Sequence, residues 1–569
     1  MRTNPFRSST THLTRGVLLA GTLMAVTACS PDHQPHGSTA DHAPSHGHDH
    51  GGGIDIPAQE LGSIDFRAAC SPDAAADFDD ALGYLHHMMY EQSRSTFDRI
   101  TEQHPECAMG HWGVAMTLFQ PLWPTRPSVD ELRQGRAAIE RARQAGTDED
   151  REQHLIDATA AFFRDPEPED AGWWTRIRRW ADGMTDAHDA HPDDADTAAL
   201  YALSRLALAY VEEDERAGLH EEAAAVLLRV HDHMPEHPGA IHYLIHANDI
   251  DGRAGESLDV IEGYGDIAPQ VPHALHMPSH LYVRLGKWPE TIEWNARSAE
   301  AALRFPVGDT ISFHYLHAID YKIYAYLQQG EDAKATAIAQ TALTKGPHQP
   351  SFNSAFHLAA IPARLAIEGR DWEEAATLEP RTPENQFWDS AMWPEGMVWF
   401  ARGLGAVHGG ELDQAREADR RLEALQATAR ADGEEGFARY IEVDRLILAG
   451  WRAQAAGRED AAVGHLEAAV DLDLTVEKHP ITPGALYPPG EALGDLLMRV
   501  GRYEEALAAF EASAQRWPGR FHTVLGAARA AEAMGEEAVA ARYYDQLLKL
   551  AGESDRPALN EANRFVAAR

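Results

Sequence analysis

His242 and His246 stand four residues apart, and so do His276 and His280. Four residues on a helix are little more than one turn, so each pair lies on one face and can hold an ion between two imidazoles. Each member of the second pair follows its counterpart by 34 residues. A chain repeating with that period carries the same two imidazoles at the same place in successive units. Neutral imidazole nitrogens suit Zn, Cu, Ni or non-haem Fe; Mg and Ca prefer oxygen ligands. Between His242 and His246 lie Tyr243, Leu244 and Ile245, so the glutamate of an HExxH metalloprotease helix is missing.

These residues need helices to position them. From about Ser63 onward Ala, Leu, Glu and Arg recur at helical spacing, broken by Gly or Pro, and no alternating strand pattern is found. Gly501, Ala506 and Phe510 recur 34 residues later as Gly535, Ala540 and Tyr544, with Pro518 closing the unit. This resembles the tetratricopeptide repeat family, whose period is about 34 residues. The resemblance implies an all-α superhelical solenoid of antiparallel helix hairpins, which bury their apolar faces on one another and leave a concave surface. The same frame fits Gly457 with Ala462, Gly410 with Ala415, Gly330 with Ala335, and Gly286 with Thr291. Tyr84, Ser93, Phe97 and Pro105 fit an early unit. Pro124 to Pro235 fits less well and reads as divergent repeats or a packed helical subdomain.

In this frame repeats begin at Pro238 and Pro272, putting His242 and His276 at position 5 and His246 and His280 at position 9. Positions 2, 5 and 9 of the first helix resemble the ligand-facing stripe of tetratricopeptide grooves. His273 falls at position 2. A repeat from Leu316 places His317, Asp320 and Tyr324 on the stripe, and one from Phe356 places His357 there. The candidate metal ligands are therefore His242, His246, His273, His276, His280, His317 and Asp320, with Tyr324, His357 and Arg284 lining the groove. Packed core histidines are the alternative. Pro278, between His276 and His280, removes a backbone hydrogen bond and breaks the helix there. Ala462 to Ala506 is ten residues longer than a repeat, and the Pro-rich stretch that carries the insertion, TVEKHPITPGALYPPGE, must loop out. Glu477 or Glu491 reaches the groove only if that insertion folds back.

The chain of 569 residues carries 50 Lys and Arg against 89 Asp and Glu, a net charge of −39 that repels phosphate backbones and argues against nucleic acid as a partner. Arg2, Arg7 and Arg15 precede a short apolar run, Gly16 to Val26, too short to span a bilayer as a mature helix. Val26-Thr27-Ala28-Cys29 resembles the lipobox of bacterial lipoproteins. That resemblance implies a lipid anchor on Cys29 and an exported protein held to the cell envelope by the anchor alone. The His-, Asp- and Gly-rich stretch that follows has too little apolar content to order itself and reads as a tether, with histidines able to collect Zn, Cu or Ni weakly. Cys70 and Cys107 are an even pair in an oxidising compartment and are expected to form a disulfide worth roughly 3–4 kcal/mol.

Ala69-Cys70-Ser71, Cys107 to Gly113, His242 to Ala247, His276-Met277-Pro278-Ser279-His280, His317 with Asp320-Tyr321, and Glu477-Lys478-His479-Pro480 together resemble an exported bacterial group of tetratricopeptide proteins. The resemblance implies fold and export and supplies no reaction. The expected organisation is a signal at 1–29, a tether at 30–62, divergent helical units at 63–235, the histidine-lined units at 236–380, and further repeats at 381–569 with the Pro-rich insertion at about 474–490. The expected function is binding of a protein, peptide or small ligand in the concave groove, with Zn, Cu or another transition metal as the cofactor. A metal-dependent hydrolase using the same histidines and a scaffold for envelope assembly are the alternatives.

Overall fold

The computed structural model describes residues 56–57, 60–165, 171–554 and 556–568. Contacts divide the chain into two units, Met1–Asp49 and His50–Arg569, and all described elements belong to the second. The signal, Cys29 and nearly all of the tether lie outside the described residues. No helix among the described residues is long and apolar enough to cross a membrane.

Helices follow one another from Pro72 to Ala567, with no strand among the described residues, and consecutive helices pack as antiparallel neighbours. The hairpin turns show why the repeat signature takes the residues it does. Gly286, Gly330, Gly410, Gly457, Gly501 and Gly535 all have φ between +65° and +84°, a region that penalises any Cβ. Five residues on from each, Thr291, Ala335, Ala415, Ala462, Ala506 and Ala540 are fully buried where two helices touch. The Phe510 ring lies against Gly494 and Gly526 of the flanking helices, where an added Cβ would come within 2.6 and 2.3 Å of it. The segment between Pro124 and Pro235 continues the hairpin pattern, with Val129–Ala145 packed on Ala108–Met116, Asp150–Phe162 on Trp173–Ala190, and Ala195–Leu208 on Arg216–His233. Ser128 and Glu131 close a reciprocal capping box at the start of the first of these.

The Cys70 and Cys107 sulfurs are joined, tying the residue before the Ser71 cap of the first helix to the start of the Ala108–Met116 helix across 37 residues of sequence. Other ties join repeats far apart in the chain. Arg126 makes a two-pronged ion pair with Glu434, at 2.8 and 3.0 Å, and the Trp288 indole donates to the Gly519 carbonyl at 2.8 Å.

The concave side is not an open groove. Residues 474–488 leave the Glu459–Asp473 helix, run without helix until Pro489–Arg499, and fold back onto the histidine-bearing helices. The Tyr321 hydroxyl lies within hydrogen-bond distance of the carbonyls of Pro480 (2.6 Å) and Thr482 (3.1 Å), and Arg364 reaches Gly484 O and Thr482 Oγ1. Lys478 Nζ meets Asp249 Oδ2 at 3.2 Å, and Arg284 holds Glu477 at 2.6 Å. The insertion covers the expected ligand stripe.

Candidate metal centre

Five helices converge on the histidines. Pro238–Asn248 supplies His242 and His246, Pro272–His276 supplies His273 and His276, and Pro278–Arg284 supplies His280; Phe313–Gln328 brings His317 and Phe352–Glu368 brings His357. The break at Pro278 is present: the helix is interrupted at Met277, whose dihedrals remain helical, so the chain continues in direction with one ladder bond missing. His246 is 7% exposed and the other five candidate ligands 1% or less.

The six imidazoles form two trios. His242, His246 and His273 place one nitrogen each within 4.8 Å of the others, and His276, His280 and His317 do the same. Each trio is one i, i+4 pair completed by a histidine from the next repeat. The trios adjoin, with ring centroids 5.4 Å apart for His246 and His280 and 5.9 Å for His273 and His276.

The outer hydrogen bonds fix which nitrogen faces inward. His242 Nδ1–H donates to the His86 carbonyl at 2.5 Å. Asn295 spends its amide N–H on Thr291 O, so its Oδ1 must accept from His276 Nδ1–H, at 2.7 Å. His280 Nδ1–H donates to Asp249 Oδ2 at 2.9 Å. His317 Nδ1 meets His357 Nε2 at 3.1 Å, and His357 Nδ1 meets Asp320 Oδ2 at 3.2 Å, a chain that runs from the carboxylate to His317. In all four the proton sits on Nδ1 and the Nε2 lone pair points inward, the arrangement outer partners impose on metal-binding histidine.

Two consequences follow. His276 Nε2 and His280 Nε2 are 2.9 Å apart, and with these tautomers both are acceptors, so neither can donate to the other and a cation between them would satisfy both. A tetrahedral ion with metal–nitrogen bonds of about 2.0–2.1 Å sets its ligand nitrogens roughly 3.3 Å apart, so a small opening suffices. In the other trio His242 Nε2 and both ring nitrogens of His246 and His273 have no hydrogen-bond partner. Five unpaired buried polar atoms cost roughly 1–3 kcal/mol each, a sum on the order of the whole net stability of a domain, about 5–15 kcal/mol. Burial pushes all six imidazoles below their ordinary pKa, so they are neutral and able to ligate.

Asp320 is not among the converging ligands. Arg364 Nε takes its Oδ1 at 2.9 Å and His357 its Oδ2, so it orients His317 through His357. Tyr324 and His357, expected to line an open groove, are buried; Tyr324 accepts from Arg520 at 3.0 Å, well along the helix from the trios. Arg284 pairs with Asp249, Asp251 and Glu477. Glu477 and Glu491 supply no ligand either, since Glu491 is held by Arg520 and Thr523. Burial alone would raise the Asp249 pKa, but Lys478, Arg284 and His280 together hold it well below the carboxylate range.

Sequence reasoning did not find Asp249, Asn295 or the His86 carbonyl as supports. It could have found Arg364, which falls at position 9 of the repeat beginning at Phe356. A third buried group, His86, Asp196 and His237, is satisfied within the protein. His237 Nδ1 accepts from Ala240 N, both histidines reach Asp196 Oδ1 through Nε2, and His86 Nδ1 meets the Tyr243 hydroxyl.

One cavity leads to the trios. It has a volume of about 300 Å³, is walled by Trp174, Tyr210, Tyr440, Arg126 and Arg216 among others, and reaches His246 and Asp249. Of the six histidines it touches His246 alone.

No family model and no curated protein matches the chain. Among solved structures it is similar to the Cut9–Hcn1 hetero-tetramer of the APC/C, at 12% identity over 87% of this chain and 90% of that one, with a TM-score of 0.31. It is similar to the human IFIT1 dimer with m7Gppp-AAAA, at 12% identity over 78% and 90% and a TM-score of 0.38. Yeast Tom70 is similar at 12% identity over 87% and 95%, with a TM-score of 0.29.

Proposed function

We propose that this protein is a transition-metal protein. Its two adjoining three-histidine sites hold a pair of ions at the end of a cavity, where they act on a small ligand. The observation that carries this is the convergence of six buried imidazoles, in which five ring nitrogens of the first trio have no hydrogen-bond partner and the inward acceptors of His276 and His280 face each other. Three nitrogen ligands and an open position suit Zn, Cu or a similar ion. The concave face is filled by the insertion, so the cavity beside His246 takes the place of the groove as the binding surface. For hydrolysis, the carboxylate nearest the centre, Asp249, is already bound by Lys478, Arg284 and His280, which leaves it unfit as a general base. We further propose, from the lipobox-like Cys29, that the metal unit is displayed on the cell envelope by a lipid anchor; Cys29→Ala is expected to move the full chain from the membrane to the soluble fraction, and its retention on the membrane would exclude the anchor.

The test of the metal reading is thermal unfolding of residues 50–569, stripped of metal and then titrated with Zn or Cu. Loading to about a thousand times Kd stabilises by about 4 kcal/mol, so a rise of several degrees in Tm is expected. His246→Ala with His280→Ala should show no rise while retaining the helical circular dichroism of the parent. A parent whose Tm ignores every transition metal rules the site out.

A further inference from the structure

Resting on the paired-metal reading, we infer that the two ions are copper, bound as Cu(I), and that their ligand is dioxygen, which bridges the trios. The donor set points there first. All six converging groups are neutral imidazoles, and the nearest carboxylates are spent: Asp249 on Lys478, Arg284 and His280, and Asp320 on Arg364 and His357. With Glu477 and Asp251 paired to Arg284 and Asp251 also to Arg516, the charges around the trios cancel: Asp249, Asp251, Asp320 and Glu477 against Lys478, Arg284, Arg364 and Arg516. Nothing in this shell offsets a large positive charge.

Repulsion scales with the product of the charges, so two neighbouring dications repel about four times as strongly as two monocations at the same separation. Two dications side by side therefore call for an anionic ligand between them, which this centre lacks. The surroundings add to the preference. The Trp123 ring lies 5.3 Å from His273, and the Tyr321 ring lies 4.5 Å from His276 and 5.4 Å from His280, so the ions sit in aromatic walls where charge is costly. Among the transition ions that imidazole binds well, copper is the one with a stable monovalent state.

A pair of Cu(I) ions has a definite chemistry. Each gives one electron to a single dioxygen molecule, which is reduced by two electrons to the peroxide level while both ions become Cu(II); no proton moves and no other reductant is needed. The resulting dianion supplies the bridging negative charge that the protein withholds. The adjoining of the trios along the His246/His280 and His273/His276 seam lets one diatomic molecule meet both ions, and the cavity reaching His246 is its path.

The experiment is an anaerobic titration of residues 50–569 with Cu(I) against a coloured chelator, followed by air. Two Cu(I) per chain are expected, with one dioxygen consumed per two copper ions and a product silent in electron paramagnetic resonance because the two Cu(II) spins couple. His246→Ala should retain one copper that oxidises to an isolated, visible Cu(II); His317→Gln serves equally should the first variant lose its circular dichroism. If the protein takes two Zn(II) but refuses Cu(I), the copper assignment falls and the paired-metal site stands. Two visible, uncoupled Cu(II) signals overturn the shared dioxygen, and a parent holding one ion or none overturns the pair itself.

Discussion

Asn295 shows how one residue outside the metal's reach sets the chemistry inside it. Its amide is turned by Thr291 O, which leaves Oδ1 to hold the His276 proton on Nδ1 and release Nε2 inward. Loss of such an outer partner typically weakens metal affinity by about 10–100-fold. Asn295→Ala should do so in a competition titration, and Asn295→Asp, which keeps an acceptor, should restore most of the loss; equal affinities for all three proteins would mean that His276 is not a ligand. Four of the six histidines were legible in the sequence because the 34-residue period repeats their positions, and His273 and His317 because both fall at position 2 of the stripe. Asp320 was read as a ligand because its position on the stripe matches His276, and only the packed structure shows Arg364 and His357 taking its oxygens. Asn295 and Asp249 were not legible: one lies on the second helix of its hairpin and the other in the turn after the first, where the stripe pattern does not reach.

The insertion at 474–488 is the element that turns a groove into an enclosed centre. Its four prolines in and beside the segment, Pro480, Pro483, Pro488 and Pro489, forbid helix, and that much the sequence shows. Its destination depends on Tyr321, Arg364 and Asp249, which lie 159, 118 and 229 residues from their partners in the segment, too far for any local pattern to reveal. Tyr321→Phe removes the hydroxyl that meets the carbonyls of Pro480 and Thr482 and leaves them short of a donor, a loss of about 1–2 kcal/mol. The expected result is faster limited proteolysis within 474–488 with the remaining helices protected. Unchanged cleavage would show that the segment is held by its other contacts alone.

At the scale of the molecule, stacked hairpins that touch only their neighbours unfold piecewise. Here Arg126 with Glu434, Trp288 with Gly519 and Arg556 with Asp332 join distant repeats, and the trios draw ligands from three successive ones. The array was legible from its turn glycines and buried small residues; its closure was not, since these ties are single contacts between remote surfaces. The metal pair is the claim on which the account depends, and counting metal in the folded unit tests it most directly. Residues 50–569, loaded and then freed of loose metal, are expected to carry two ions per chain, falling to one in His242→Ala and to one in His317→Ala. A folded parent that keeps no metal, or variants that keep as much as the parent, would contradict it.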